Sequence, residues 1–417
     1  MKLYNALTQS IETFAPQKEL ITIYVCGITP YDTTHLGHAF TYTAFDVLIR
    51  YLEHLNYQVR YVQNVTDIDD DILRKASEVG EDWQTLGNRW TVHFIEDMQT
   101  LNVRPPDHFP RATDVISAII EAVQKLLAAG VAYEAGGNVY FHIAAWPEYG
   151  KLSHIPRDDM LAIANERGNK PDDPYKRHPL DFVLWQAQAP GEPAWPSPWG
   201  PGRPGWHIEC STMSTNLLGS TIDLHGGGAD LIFPHHESEI AQAECAIGQR
   251  PFVRFWLHTA MVEYQGEKMS KSLGNLVMIR DLLKEWSPDA LRLYLASHHY
   301  RSSWSYNLEG LERAERLAQK LKAALTAAGG AGPVRDSAST QTAFTQAMEQ
   351  DLDTPTALAE LGQLAEKVVT AAQAGQNVQS IQATLRALGQ IFGLRLVAQK
   401  PEERVSAGWN EHLKRFT

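Results

Sequence analysis

Apolar and polar positions follow two periods along this chain, and the first change of period falls near the N-terminus. Leu20-Ile-Thr-Ile-Tyr-Val25 is apolar and β-branched, which predicts a buried strand. Gly27 and Pro30 break it. Phe40, Ala44, Phe45, Val47, Leu48, Tyr51, Leu52 and Leu55 then recur at helical spacing over 39–55. Tyr57–Val65 alternates and predicts a second strand. Strand, helix and strand in this order make a βαβ unit. That implies a parallel sheet with a ligand crevice at the carboxyl ends of its strands.

The pattern continues as two amphipathic helices, 81–102 and 112–130, parted by Arg104-Pro-Pro-Asp107 and ended by Gly130. Asp67, Asp69, Asp70 and Asp71 precede a helical run; a metal site is conceivable, and a helix N-terminus that favours anions explains them better. Asn138–Ile143 predicts a short strand, and 145–204, rich in Pro, Gly and Trp, predicts an insertion with long loops. Trp206–Glu209 reads as a strand-like run ending at Cys210. Thr221–His225 and Phe252–His258 predict strands on either side of a helix, Glu237–Ile247. From Pro288 onward the spacing is helical, over 306–328, 340–350, 355–373 and 377–391, with Gly329-Gly-Ala-Gly-Pro333 as a break. The expected fold class is α/β: a Rossmann-type parallel sheet interrupted by an insertion, followed by an all-α helical bundle. The expected divisions are 1–144 and 205–300 for the two halves of the sheet domain, 145–204 for the insertion and 301–417 for the bundle, which leaves no room for a further domain before Thr417.

Composition narrows the class without naming a chemistry. Hydrophobic content of 44% and charged content of 21% over 417 residues describe an ordinary globular chain with more than one core. No apolar run is long enough to span a membrane, and Met1-Lys-Leu-Tyr-Asn-Ala6 lacks the apolar centre of a signal peptide. Three cysteines, Cys26, Cys210 and Cys245, argue for a reducing compartment over a disulfide framework, so a cytoplasmic setting without a membrane partner is expected. The formal net charge of −12, with Lys176-Arg177-His178 as the densest basic run, argues against an extended nucleic-acid footprint but not against a local patch.

The turn after the first strand gathers a soft ligand, Cys26, and imidazoles at His35 and His38. Alone, these residues fit a buried cysteine and two surface histidines equally well. His35-Leu-Gly-His38 resembles the HIGH signature of class I aminoacyl-tRNA synthetases, and Lys268-Met-Ser-Lys-Ser272 resembles their KMSKS loop. Each match is short, and the two in this order make a specific pair. Cys26-Gly-Ile-Thr29, Asn64-Val-Thr-Asp-Ile-Asp-Asp70, Gly205-Trp-His-Ile-Glu-Cys210 and Gly226-Gly-Gly-Ala-Asp230 through Pro234-His-His-Glu237 are similar to the cysteine-activating branch. That branch contains cysteinyl-tRNA synthetase and the mycothiol cysteine ligase. The resemblance runs over at least residues 20–360.

The resemblance implies a zinc site formed by Cys26, Cys210, His235 and Glu239. Sulfur, nitrogen and oxygen donors suit a tetrahedral ion, and His235 and Glu239, four apart, share one face of a helix. Without the resemblance both cysteines would be read as core residues. A plain pocket separates near-isosteres such as cysteine and serine only about 10²-fold, whereas zinc can bind the substrate sulfur. The implied reaction is attack of the cysteine carboxylate on the α-phosphorus of ATP, with magnesium, giving cysteinyl-AMP and pyrophosphate. The implied catalytic set is His35 and His38 at a helix N-terminus, with Lys268 and Lys271 on a loop flanked by Gly266 and Gly274. Gly27, Ile28, Thr29, Thr41, Asn64, Val65, Thr66, Trp206, Gly228, Ala229, Asp230 and Val262 are implied to line the substrates. Asp230 after three glycines suits a ribose hydroxyl, and Trp206 suits the core equally well.

Two acceptors follow from the branch. The expected one is the amine of a small aminosugar of the glucosaminyl-inositol type, as in mycothiol biosynthesis; the alternative is tRNA-Cys. The acidic total, the absence of a basic C-terminal extension, Thr29–His38, Glu96-Asp-Met98 with Pro105-Pro106, and Glu166-Arg-Gly168 favour the aminosugar. Asn165–Asp173 resembles the ERGGDP motif of the mycothiol ligase, with Asn169-Lys170 in place of Gly-Asp. Glu239 and the run around it favour the synthetase. A catalytically silent paralogue used for binding is the reading from another class, and the intact His35/His38 and Lys268/Lys271 sets argue against it.

Overall fold

Four parallel strands carry the site. The computed structural model, which describes residues 1–16, 18–31, 34–269, 274–334, 336–396 and 407–417, orders them Val253–Thr259, Ile222–Gly228, Leu20–Ile28 and Gln58–Val65. All three pairings are parallel, as the βαβ reading requires. The chain leaves Leu20–Ile28 toward one edge and Ile222–Gly228 toward the other. Strand order therefore reverses between these two central strands, and a crevice opens at their carboxyl ends. Those ends are Cys26-Gly27 on one strand and Gly227-Gly228 on the other.

The helix between the first two strands runs Leu36–His54 and starts earlier than its apolar spacing suggests. His35 is the reason: as N-cap, its ring Nδ1 accepts the Gly37 amide at 3.1 Å. Buried residues occur all round this helix, since the sheet covers one side and helix Pro288–Ala296 the other. Its one buried acid, Asp46, lies against Arg292, itself 0% exposed, and accepts from Arg50 Nε at 2.9 Å and the Arg104 amide at 2.7 Å. Burial pushes the Asp46 carboxyl up, but Arg50 and Arg292 overcome this and hold it below the usual range. Arg292 also donates to Leu101 O and Phe392 O, so one guanidinium joins the signature helix to the helical region.

The insertion is more ordered than its composition suggests. Ala132–Ala135, Asn138–Phe141, Phe182–Ala187 and Gly202–Pro204 form one antiparallel sheet, against which helices Ile116–Ala128 and Trp206–Leu218 pack, and helix Arg157–Glu166 lies within the same region. Strands from both sides of residue 145 share this sheet and a core that includes Phe141, Phe182, Leu184 and Trp185. Trp206–Glu209 is not strand-like: Gly205 is an N-cap, and the segment opens helix Trp206–Leu218. Ile208, Cys210, Ser211, Met213, Ser214 and Leu218 are buried along it, so the helix packs on more than one side, which a four-residue window could not reveal. Glu237–Ile247 is a helix, as expected.

Beyond Pro288–Ala296 the helices are Leu308–Thr326, Ala338–Glu349, Thr354–Gln373 and Gln379–Ile391. Leu321, Phe344, Leu361, Leu364, Ile381 and Leu385 are each fully buried between them, contributing about 1.5–3 kcal/mol apiece. A terminal helix, Ala407–Leu413, folds back onto the sheet domain, where Trp409 Nε1 donates to Val103 O at 2.8 Å. That helix and the N-terminal hairpin Lys2–Asn5/Ser10–Thr13 were not expected from the pattern, being too short for a period to emerge. No helix among the described residues is long and apolar enough to cross a membrane.

Candidate active site

The turn of strand Leu20–Ile28 into its helix is held by one close backbone approach. Gly27 N donates to Asn64 Oδ1 at 2.8 Å, and a Cβ on Gly27 would fall 1.6 Å from Asn64 O. Asn64 Nδ2 donates to Thr66 Oγ1 at 3.2 Å, and the Thr66 amide donates to Ile28 O at 2.9 Å. Gly27, Ile28, Asn64, Val65 and Thr66, far apart in the chain, thus meet at the ends of two adjacent strands.

Cys26 sits at the base of the crevice. One donor atom from each of Cys26, Cys210, His235 and Glu239 lies within 4.8 Å of the other three, and all four residues are buried. The two sulfurs are 3.9 Å apart and both cysteines are free. Each donor arrives from a different element: a strand end, the second turn of helix Trp206–Leu218, the wide turn Ile232–His236, and helix Glu237–Ile247. His235 Nε2 and Glu239 Oε1 are 3.2 Å apart, as the four-residue spacing requires. Burial pushes the Cys26 thiol and the Glu239 carboxyl well up. Burying acids with no cation beside them costs free energy that a divalent ion would offset, so the donor set fits a metal in both chemistry and placement.

Four histidines that the motif reading passed over surround this quartet. His207 Nδ1 lies 2.9 Å from His235 Nδ1, His225 Nε2 2.9 Å from Glu239 Oε2, and His236 Nε2 3.2 Å from Cys26 Sγ. His236 Nδ1 is in turn 2.8 Å from His258 Nε2. Burial drives His207, His225 and His258 down to about 3, so these imidazoles are neutral and orient by hydrogen bonds rather than by charge. The available signal was that His225 and His258 end expected strands, while His207 and His236 stand within three residues of an expected ligand. A second set, Cys26, His225, His236 and Glu239, also lies within 4.8 Å.

The His35 and His38 rings lie against each other with centroids 3.8 Å apart, tilted by 31°. Their helix entry is bonded to the chain just after the KMSKS segment: Leu36 N donates to Val277 O at 2.8 Å and Ile279 N to Thr34 O at 3.0 Å. Lys268 ends the two-residue strand Glu267–Lys268, and Lys271 lies outside the described residues.

The comparisons with known proteins agree on one family. Residues 13–316 match the family model for the catalytic domain of class I (C) tRNA synthetases, and 343–397 match the DALR domain. A cysteine–tRNA ligase of Alkalilimnicola ehrlichii is 47% identical over 98% of this chain and 88% of its own length. One of Dehalococcoides mccartyi is 46% identical over 98% and 89%. The chain belongs to the cysteine–tRNA ligase family of class I synthetases. A methionyl-tRNA synthetase of Mycobacterium tuberculosis, solved with methionyl-adenylate, shares the fold at a TM-score of 0.63 with 17% identity, covering 89% of this chain and 88% of that one.

Members of this family are ATP-dependent ligases, and of the remaining expected residues Thr29, Trp206 and Asp230 line a cavity of about 880 Å³, together with His235, whereas Thr41, Gly228, Ala229 and Val262 are not part of its lining. Trp206 stacks on His235 with centroids 4.2 Å apart, so it belongs to the cavity wall and not to the core alone. Gly228 precedes the turn Ala229–Leu231 that carries Asp230. Thr41 Oγ1 and Thr259 Oγ1 are 2.7 Å apart, and Val262 is buried at the start of strand Val262–Tyr264. His35 and His38 are not among the lining residues; they connect through Tyr42, which stacks on His38 and donates to Cys26 O at 3.3 Å.

Of the four aspartates, Asp69 is the N-cap of helix Asp70–Val79 and accepts the Ile72 amide at 2.9 Å. Burial, with Asp71 and Asp70 nearby, pushes its carboxyl up to about 7 despite that hydrogen bond. The folded state therefore holds this proton more tightly than the unfolded chain, whose carboxyl titrates near about 3.9. Stability contributed here is full below that value and is lost as pH rises toward 7. Asp69→Asn keeps an equally good cap. Denaturation at pH 5 and pH 8 is expected to show the variant gaining on the wild type, with the larger gain at pH 8.

Proposed function

We propose that this chain activates L-cysteine with ATP and magnesium and transfers it to tRNA-Cys. The observation that carries the reading is the buried quartet of two sulfurs, a nitrogen and an oxygen at the reversal point of the sheet, one turn from the HIGH signature. The near full-length relatives that are cysteine–tRNA ligases support the acceptor. The aminosugar acceptor expected from the sequence gives way on this point. It rested on total charge and the absence of a basic C-terminal extension, which say little about a local patch, and on short stretches, Thr29–His38, Glu96-Asp-Met98 with Pro105-Pro106, and the Asn165–Asp173 loop, the last departing from the ERGGDP motif at two positions.

Cys26, Cys210, His235 and Glu239 would hold zinc, with the neutral histidines behind them fixing ring orientation and excluding water. When bound, zinc supplies a soft position for the amino-acid thiolate, which a hydroxyl fills poorly. Asp230 reaches the cavity where a ribose would lie, and Thr29 and Trp206 wall the amino-acid end. His35 and His38 stand at a helix start, where the amides and the helix dipole favour phosphate oxygens. Lys268 and Lys271 complete the cationic set over the leaving diphosphate in this reading. A cytoplasmic setting goes with it.

Three assays on one preparation test the proposal. Cysteine-dependent ATP–pyrophosphate exchange is expected, with charging of tRNA-Cys and no ligation of cysteine to glucosaminyl-inositol. Ligation of the aminosugar without tRNA charging would overturn the acceptor and leave the activation step standing.

A further inference from the structure

We infer that Arg167 is a positioning residue that fixes where Asp230 and His235 stand. The inference rests on the functional reading of those two residues and adds an insertion side chain to the reaction. Arg167 follows helix Arg157–Glu166, outside the sheet domain. Its Nη1 donates to Asp230 O at 2.7 Å and also to Phe233 O.

These two carbonyls belong to the least regular backbone of the site. Ala229–Leu231 is a 3₁₀ turn, Ile232–His236 is a wide turn, and Phe233 is extended within it at φ −137°, ψ 134°. Such a segment has no regular ladder to satisfy its carbonyls or fix its path. One guanidinium joins positions 230 and 233, so it spans the chain between the carboxylate that lines the cavity and the imidazole of the metal quartet. Both carbonyls are met by one nitrogen, Nη1, whose two hydrogens lie fixed in the guanidinium plane, a geometry that a freely rotating ammonium does not hold.

The same loop reaches the opposite wall. Gly168, at φ +90°, lets the chain reverse after Arg167. Asn169 Nδ2 then donates to Pro179 O at 3.1 Å, and Lys170 Nζ meets Asp70 Oδ2 at 2.8 Å. Residues 167–170 therefore tie the second half of the sheet domain to the first across the mouth of the cavity. The Lys170 pair is exposed and weak, so the Arg167 end sets the geometry.

The test uses the full chain with Arg167→Ala, Arg167→Lys and, as a control, Arg157→Ala. Arg157 is on the same helix and donates to Pro147 O at 2.9 Å. Zinc release to a chromogenic chelator is measured beside KM and kcat in pyrophosphate exchange. Arg167→Ala is expected to release zinc and to raise KM for cysteine and ATP by about 10-fold, the lower end of what outer-shell partners of a metal are worth. Its kcat is expected to change less than KM, Arg167→Lys to fall between, and Arg157→Ala to match the wild type. Arg167→Ala with wild-type zinc release and KM, whether or not its melting temperature falls, overturns the inference alone. A wild-type protein that takes up no zinc and exchanges no pyrophosphate overturns the functional reading and this inference with it.

Discussion

Cys210→Ala is expected to leave a folded protein that no longer retains zinc and no longer prefers cysteine. Cys210 is 2% exposed inside helix Trp206–Leu218, and alanine is the better helix former, so the backbone tolerates the change. The lost atom is one of four donors that meet within 4.8 Å, and neither His225 nor His236 replaces a thiolate in softness. Outer-shell partners are worth about 10–100-fold in metal affinity, and a direct ligand is expected to exceed that range. Metal content per chain after dialysis, read with cysteine-dependent pyrophosphate exchange, checks it. A variant that keeps one zinc per chain would remove Cys210 from the ligand set.

Gly27→Ala is expected to cost more stability than any other single-methyl change at the site. The added carbon would lie 1.6 Å from Asn64 O and 2.6 Å from Asn64 C, both backbone atoms of the neighbouring strand. No side-chain rotation relieves that contact, so strands Leu20–Ile28 and Gln58–Val65 must part where they carry the site. Effects above about 4 kcal/mol have mechanisms of this kind. Thermal unfolding, or the yield of soluble protein, reads the change. A melting temperature equal to that of the wild type would mean that the two backbones are not so close.

The sheet was legible because Leu20–Val25 and Phe252–His258 are short, mostly apolar stretches beside Gly27 and Pro251, too short for a helix and rich in β-branched and aromatic residues. The helix Glu237–Ile247 and the bundle followed from spacing alone. Trp206–Cys210 misled, because four residues cannot distinguish a strand from the first turn of a helix capped by Gly205. The insertion hid its sheet, since its strands are three to six residues long and separated by loops without a period. In the site, the motifs brought out groups that occur in fixed short patterns, Cys26, His35, His38 and His235 among them. They could not bring out His207, His225, His236 and His258 as one network, nor Arg167 over the 230–233 turn, because those relations exist only between distant segments.

X-ray absorption at the zinc edge, on the full chain before and after addition of L-cysteine, reads the site most directly. Two sulfur, one nitrogen and one oxygen neighbour are expected at first, with a third sulfur appearing on addition of cysteine and no change with L-serine. A chain that binds no zinc, or a spectrum that cysteine leaves unaltered, would contradict the assignment of substrate recognition to this buried quartet.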